Sequence, residues 1–192
     1  MGKEGDCKRF VEILKGATSR IGREYFLLPV AGSDDSIYRE RVYCYELYHR
    51  LREFFEASGF QYSLAGEVDK NGHTIIYPKL GAKKPDLIVH KPKTMEDNLI
   101  VVEVKPIRTD IREAKKDIET LIGFLDHAQY YRASHLVYGG NEKDINEYVR
   151  GVFETDQLKY SNLLYLFWHK SPGQQVQRIE WGETISSEKA QK

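Results

Sequence analysis

The fold class written into this chain is α/β, a mixed central sheet flanked by helices, and three observations predict it. Residues 36–56 and 110–125 carry apolar side chains at helical spacing. The apolar runs 86–90, 99–104, 134–138 and 163–168 are short and nearly unbroken, as buried strands are. The two kinds of segment interleave in the order helix, strands, helix, strand, helix, strand.

Taken in order, residues 6–15 place Phe10, Val11, Ile13 and Leu14 in a short apolar stripe. Residues 20–29 are less regular, and Ala31-Gly32-Ser33-Asp34-Asp35 breaks the pattern. Residues 1–34 are therefore expected as a helical appendage to a domain spanning 35–182. Asp35 or Ser36 is expected to cap the long helix that follows. At about 100° per residue, Cys44, Leu47, Tyr48, Leu51, Phe54 and Phe55 share one face. Val42, Tyr45, Glu46, His49, Arg50 and Glu53 lie opposite, either solvated or turned toward a cleft.

Residues 61–68 and 73–77 flank Asp69-Lys70-Asn71-Gly72, a strong hairpin signal. Asp110 is placed to cap the second long helix, with Glu113 as its capping-box partner. Ile111, Ala114, Ile118, Leu121, Ile122 and Leu125 give that helix a face for the sheet, leaving Lys115, Lys116 and Asp117 toward solvent. Strand 134–138 ends at Gly139-Gly140, which need only make a turn. A helix over 144–153, strand 163–168, a short strand at 179–181 and a polar tail over 183–192 complete the chain.

A length of 192 residues suits one domain, and 41% hydrophobic content supports a packed core. No run approaches the ~18 apolar residues of a membrane span. The opening Met-Gly-Lys-Glu-Gly-Asp lacks a signal-like apolar core, and Asp6 stands where a myristoylation pattern wants Ser or Thr. A cytoplasmic protein is expected. Cys7 and Cys44, far apart and without a partner motif, argue against a disulfide framework or a zinc site. Net charge is zero, against indiscriminate coating of nucleic acid, but the balance is local. From residue 70 to 93 the lysines are Lys70, Lys79, Lys83, Lys84, Lys91 and Lys93, with Asp86 as the sole acid. Such a rim either holds a phosphate backbone or keeps loops and edges soluble.

The informative charges sit at the ends of apolar strands. Asp86 opens one run, while Glu103 and Lys105, two residues apart and so on one strand face, close the next. If the two runs pair as a hairpin over the loop 91–98, equal counting sets Asp86 opposite Glu103. Opposed Cβ atoms stand about 4.5–5.5 Å apart, where like charges repel. A divalent cation bridging both carboxylates removes that repulsion.

Pro85-Asp86 followed by Glu103-Val104-Lys105 on the next strand resembles the signature of the PD-(D/E)xK nuclease superfamily, over roughly residues 36–140. Asp6-Cys7-Lys8 and Glu113-Ala114-Lys115 match acid-x-Lys equally well, but in helical segments; strand context singles out Glu103 and Lys105. The resemblance implies a restriction-endonuclease-like core and Mg²⁺- or Mn²⁺-dependent hydrolysis of phosphodiester bonds, DNA before RNA. It implies Asp86, Glu103 and the Val104 carbonyl as metal ligands. Lys105 then orients or deprotonates water, or neutralises developing charge. The family often adds an acid from the preceding helix, for which Glu46 is the candidate and Glu67 the second. Lys83 and Lys84 are expected on the substrate rim, and His90 either lines the cleft or is structural. Tyr43, Tyr45, Tyr77 and Tyr138 are the tyrosines whose exposure beside the site would permit base stacking. The competing readings are a non-cleaving module that binds nucleic acid or protein, and an enzyme for a nucleotide or small phosphoester. A homodimer fits a small nuclease that cuts both strands.

Overall fold

The computed structural model describes residues 2–32, 35–66, 80–81, 83–92 and 96–189. Helices α1 (Lys3–Thr18) and α2 (Arg23–Phe26) lead into the two-stranded sheet of β1 (Leu28–Pro29) and β2 (Ser36–Ile37). Then follow α3 (Glu40–Ser58), β3 (Ser63–Gly66), β4 (Leu87–His90) and β5 (Asn98–Pro106). After them come α4 (Ile111–His127), β6 (Arg132–Tyr138), α5 (Glu142–Val152) and a 3-10 turn (Thr155–Tyr160). The chain closes with β7 (Leu164–His169), β8 (Gln177–Ile179) and α6 (Trp181–Lys189). The six-stranded sheet runs in the order β3-β4-β5-β6-β7-β8. Its neighbours are antiparallel except for β5-β6 and β6-β7, which are parallel. The expected mixed sheet flanked by helices is therefore present. The Asn71-Gly72 hairpin, Glu67 and Tyr77 lie outside the described residues.

Central strands are apolar on both faces because both faces are covered. One face carries Leu87, Val89, Ile100, Val102, Val104, Leu136, Tyr138 and Phe167 against α1 and α3. The other carries Ile88, Val101, Ala133, Val137, Leu164 and Leu166 against α4, α5 and α6. This alternation decides which layer each polar strand residue meets. Glu103 and Lys105, in step with Val101, face the α4 layer.

Helix α1, expected within an appendage over residues 1–34, packs into the core. Phe10, Leu14, Ala17 and Ile21 are fully buried in the same cluster as the sheet. The stripe read as short gains Cys7 and Ala17, because small and sulfur side chains also serve a close helix contact. The polar tail is likewise part of the fold to Lys189: α6 buries Trp181 and Ile185. Ser36 does not cap α3 but pairs with Pro29, and the helix starts at Glu40 with no side-chain cap. Asp110 does cap α4, accepting from the Arg112 N–H at 2.7 Å. Gly139 (φ 89°) and Gly140 (φ 75°) take left-handed turn conformations, and a Cβ on Gly139 would stand 2.5 Å from the Tyr38 hydroxyl. Cys7 and Cys44 are free thiols. No described helix is long and apolar enough to cross a membrane.

Two buried histidines give the fold a pH dependence. His135 hydrogen-bonds the Tyr148 hydroxyl at 2.6 Å, and burial holds its pKa down at about 3. His169 bonds Tyr43 at 2.8 Å through Nδ1 and is held down at about 4 by burial. Each is neutral in the fold, while the unfolded chain takes up a proton below about 6.5. Their contribution is intact above that value and is lost as pH falls toward the folded pKa. Between pH 7 and 5 each histidine is expected to remove about 2 kcal/mol. In urea unfolding, His135→Gln should lose correspondingly less than the wild type over that interval; an identical loss contradicts the assignment.

Candidate active site

The site forms where β4 and β5 part. The two strands pair Leu87 with Val102, Ile88 with Val101 and Val89 with Ile100. Extending the count by one step sets Asp86 opposite Glu103, as the hairpin reading expects. Val104 lies beyond the paired stretch, so its N–H meets a side chain instead of a strand: it donates to Asp86 Oδ2 at 2.7 Å. This bond aims the Asp86 carboxyl across the end of β5. Pro85, which is buried, precedes it and fixes the approach of the chain.

Asp86 and Glu103 act on each other in opposite senses: their interaction favours the charged form of Asp86 and the protonated form of Glu103. Burial is the main reason, followed by the Asp86 charge: together they raise Glu103 well above the usual carboxylate range. Burial also raises Asp86, against the lowering effect of the Val104 N–H. Two carboxyls that cannot both ionise comfortably are thus held together.

Lys105 completes the cleft, but it does not reach for Glu103. Its Nζ donates to Glu40 Oε2 at 2.9 Å and stands 3.5 Å from Asp117 Oδ2. Burial works against the ammonium, yet the Glu40 bond and the Asp117 charge outweigh it and raise the Lys105 pKa. Asp117 pays in the opposite direction: burial lifts it to about 6 despite Lys105, and its Oδ2 has no hydrogen-bond partner. Glu40, Asp86, Glu103, Lys105 and Asp117 line a cleft of about 520 Å³. Lys83, Lys84 and Lys116, all exposed, stand on it as well.

Three of the lining acids, Glu40, Glu113 and Asp117, were not expected there. Glu40 opens α3, where a helix start points at the strand ends. Asp117 belongs to a polar stripe of Glu113, Lys116, Asp117 and Thr120, at helical spacing beside the apolar face of α4. That second period was the available signal. Glu46, by contrast, does not line the cleft. It is buried on α3 with its carboxylate on Arg50 Nε at 2.7 Å, and Arg50 also holds Glu53 at 3.1 Å. The face of α3 that packs is Tyr43, Leu47, Leu51 and Phe55, turned from the expected one because Tyr43 stacks on Tyr138 at 4.0 Å.

His90 does not line the cleft either; it sits at the far end of β4, at the register shift beside Val89, paired with Ser63 and Asn98. Lys91 lies 3.7 Å from Asp97 and over the Tyr62 ring, away from the site. Tyr43 and Tyr138 are buried, whereas Tyr45 is 64% exposed.

The donor set fits a hard divalent cation chemically, since a cation can offset the charge that Asp86 and Glu103 oppose in each other. Among the described residues, no group of three or more His, Cys, Asp or Glu side chains gathers closely enough to hold a metal ion by side chains alone. Comparison with protein-family models, with curated proteins and with solved structures finds no match to this chain.

Proposed function

We propose that this protein is a Mg²⁺- or Mn²⁺-dependent nuclease that hydrolyses phosphodiester bonds, DNA first, on a restriction-endonuclease-like core. The observation that carries the reading is the pairing of half-buried Asp86 with buried Glu103 at the strand fork, with Lys105 in the same cleft. Asp86 and Glu103 would hold the metal, joined by the Val104 carbonyl, whose strand edge is unpaired by β4. When bound, the metal supplies an acidified water and offsets charge on the phosphate.

The chain's own residues set the rest. Lys105 is firmly protonated, so it cannot take a proton from water; it stabilises negative charge growing on the phosphate oxygens. Glu40 and Asp117 position its ammonium without touching the phosphate. Lys83 and Lys84, exposed on the rim, would hold the strand's flanking phosphates.

One observation favours the alternative of a non-cleaving binding module for nucleic acid or protein: among the described residues, no three His, Cys, Asp or Glu side chains gather as a metal site. A cleavage panel separates the two readings. Duplex, nicked, branched and single-stranded DNA, plus RNA, would be incubated with Mg²⁺ or Mn²⁺ beside an identically purified Asp86→Asn protein. Asparagine can still accept the Val104 N–H, so the fold should persist. Metal-dependent cutting, lost at least about a hundredfold in the variant, is expected. No cutting of any strand, or equal cutting by the variant, overturns the nuclease reading.

A further inference from the structure

Asp86 belongs to two hollows. On its other side from the carboxylate cleft, Cys44, Tyr45, Tyr48, Gly66 and Leu87 line a space of about 360 Å³. Its chemistry is the reverse of the cleft's, apolar and aromatic. Burial, then the charge of Asp86, keeps the Cys44 thiol protonated and neutral. Gly66 keeps the floor open: a Cβ there would stand 3.3 Å from the Asp86 carbonyl and 3.8 Å from Tyr48 Cδ2. At the mouth stands Tyr45, one of two large hydrophobic side chains exposed among the described residues. A single exposed aromatic is ordinary. One that lines an apolar hollow sharing Asp86 with a lysine-edged cleft is not. Arg41, exposed, lies one helical turn before Tyr45 on α3.

We propose that this hollow receives an unpaired nucleobase next to the phosphate held in the cleft, with Tyr45 as its stacking ledge. The inference rests on the nuclease reading of the cleft and narrows it to single-stranded or locally opened substrates. A nucleotide carries an anion and a flat ring side by side, which is the pairing that the cleft and the hollow offer across Asp86. The hollow's volume lies at the small end of ligand sites, about 300–1,000 Å³, and so suits one ring system rather than a helix. In a duplex the faces of the base are already covered, and presenting one requires unstacking it.

The test measures binding apart from cutting. Fluorescence anisotropy would follow a labelled single-stranded oligodeoxynucleotide, its RNA counterpart, a strand with abasic sites and a duplex. Ca²⁺ would replace Mg²⁺, being a hard cation with the same preference for oxygen. Tyr45→Ala should weaken binding of the single strand about tenfold, and Tyr45→Phe should restore it. The abasic strand should not distinguish wild type from Tyr45→Ala. The exposed position of Tyr45 leaves the fold intact in both variants, which circular dichroism can verify. Equal binding of the single strand by wild type and Tyr45→Ala overturns the ledge, as does an equal loss on the abasic strand. Separate cleavage in Mg²⁺ divides the two claims. Cutting that ignores Tyr45 removes the hollow alone, and Tyr45-dependent binding without cutting removes the nuclease reading alone. Failure to bind any strand overturns both.

Discussion

Glu103→Gln is expected to stabilise the metal-free protein while lowering cleavage about a thousandfold. The two effects have one cause. Glu103 is buried beside Asp86, so its ionised form is opposed by desolvation and by a neighbouring like charge. An amide of the same shape carries no charge to oppose, and relief of this kind is worth about 1–4 kcal/mol. The same charge is what a divalent cation would need, and several kcal/mol of transition-state stabilisation go with it. The sign of the pH dependence follows. A carboxyl whose folded pKa is raised stabilises the fold fully below its unfolded value and loses that contribution as pH rises through the folded one. Between about pH 7.5 and 8, above the range of the unfolded histidines and below that of the free thiols Cys7 and Cys44, carboxyls govern the trend. Metal-free wild type should therefore melt at lower temperature as pH rises across this window, by about 2–4 °C per kcal/mol. Glu103→Gln should flatten the slope, and Mg²⁺ should raise the melting point of wild type more than that of the variant. A variant as steep as wild type would refute the charge argument.

Lys105→Met should cost both activity and stability. Removing a charge that stabilises a developing anion typically lowers rate by about a hundredfold or more. Stability falls because Glu40 and Asp117 lose their cation. Breaking a fully buried pair costs about 3–5 kcal/mol, but Glu40 is about a third exposed, so about 1–3 kcal/mol is the reasonable expectation. A double variant distinguishes the two roles. Lys105→Met with Asp117→Asn removes the stranded charge along with the cation and should recover much of the lost stability, with no recovery of cleavage. Urea unfolding and single-turnover rates on the four proteins of the cycle provide the readout. Recovery of cleavage in the double variant would show that Lys105 acts only as a structural counter-ion.

The fork of the site was legible because a hairpin's register needs only counting. A loop of known limits between two apolar runs sets Asp86 against Glu103, and the bulge at His90 falls too far away to disturb it. Helix-borne partners were not legible in this way. Glu40 and Glu46 lie six residues apart, about 120° around α3, and choosing between them requires the rotation of the helix. That rotation is fixed by Tyr43, which stacks on Tyr138 and bonds His169, contacts from strands over ninety residues away that no periodicity encodes. Asp117 was hidden by its sequence neighbours: Lys115 and Lys116 make it look solvated, whereas Lys115 turns out to Glu154 and Asp117 turns in. The first helix was read as peripheral because irregular residues 20–29 follow it, although Phe10 and Leu14 are fully buried.

The central claim is that the Asp86–Glu103 pair is a metal centre for cutting a phosphodiester strand. Its most direct test is the single-turnover cleavage rate against Mg²⁺ concentration for wild type, Glu103→Gln and Glu46→Gln on one substrate. Wild type and Glu46→Gln should saturate together, while Glu103→Gln falls about a thousandfold at every concentration. Cleavage by Glu103→Gln at the wild-type rate, or by wild type without metal, would contradict the account.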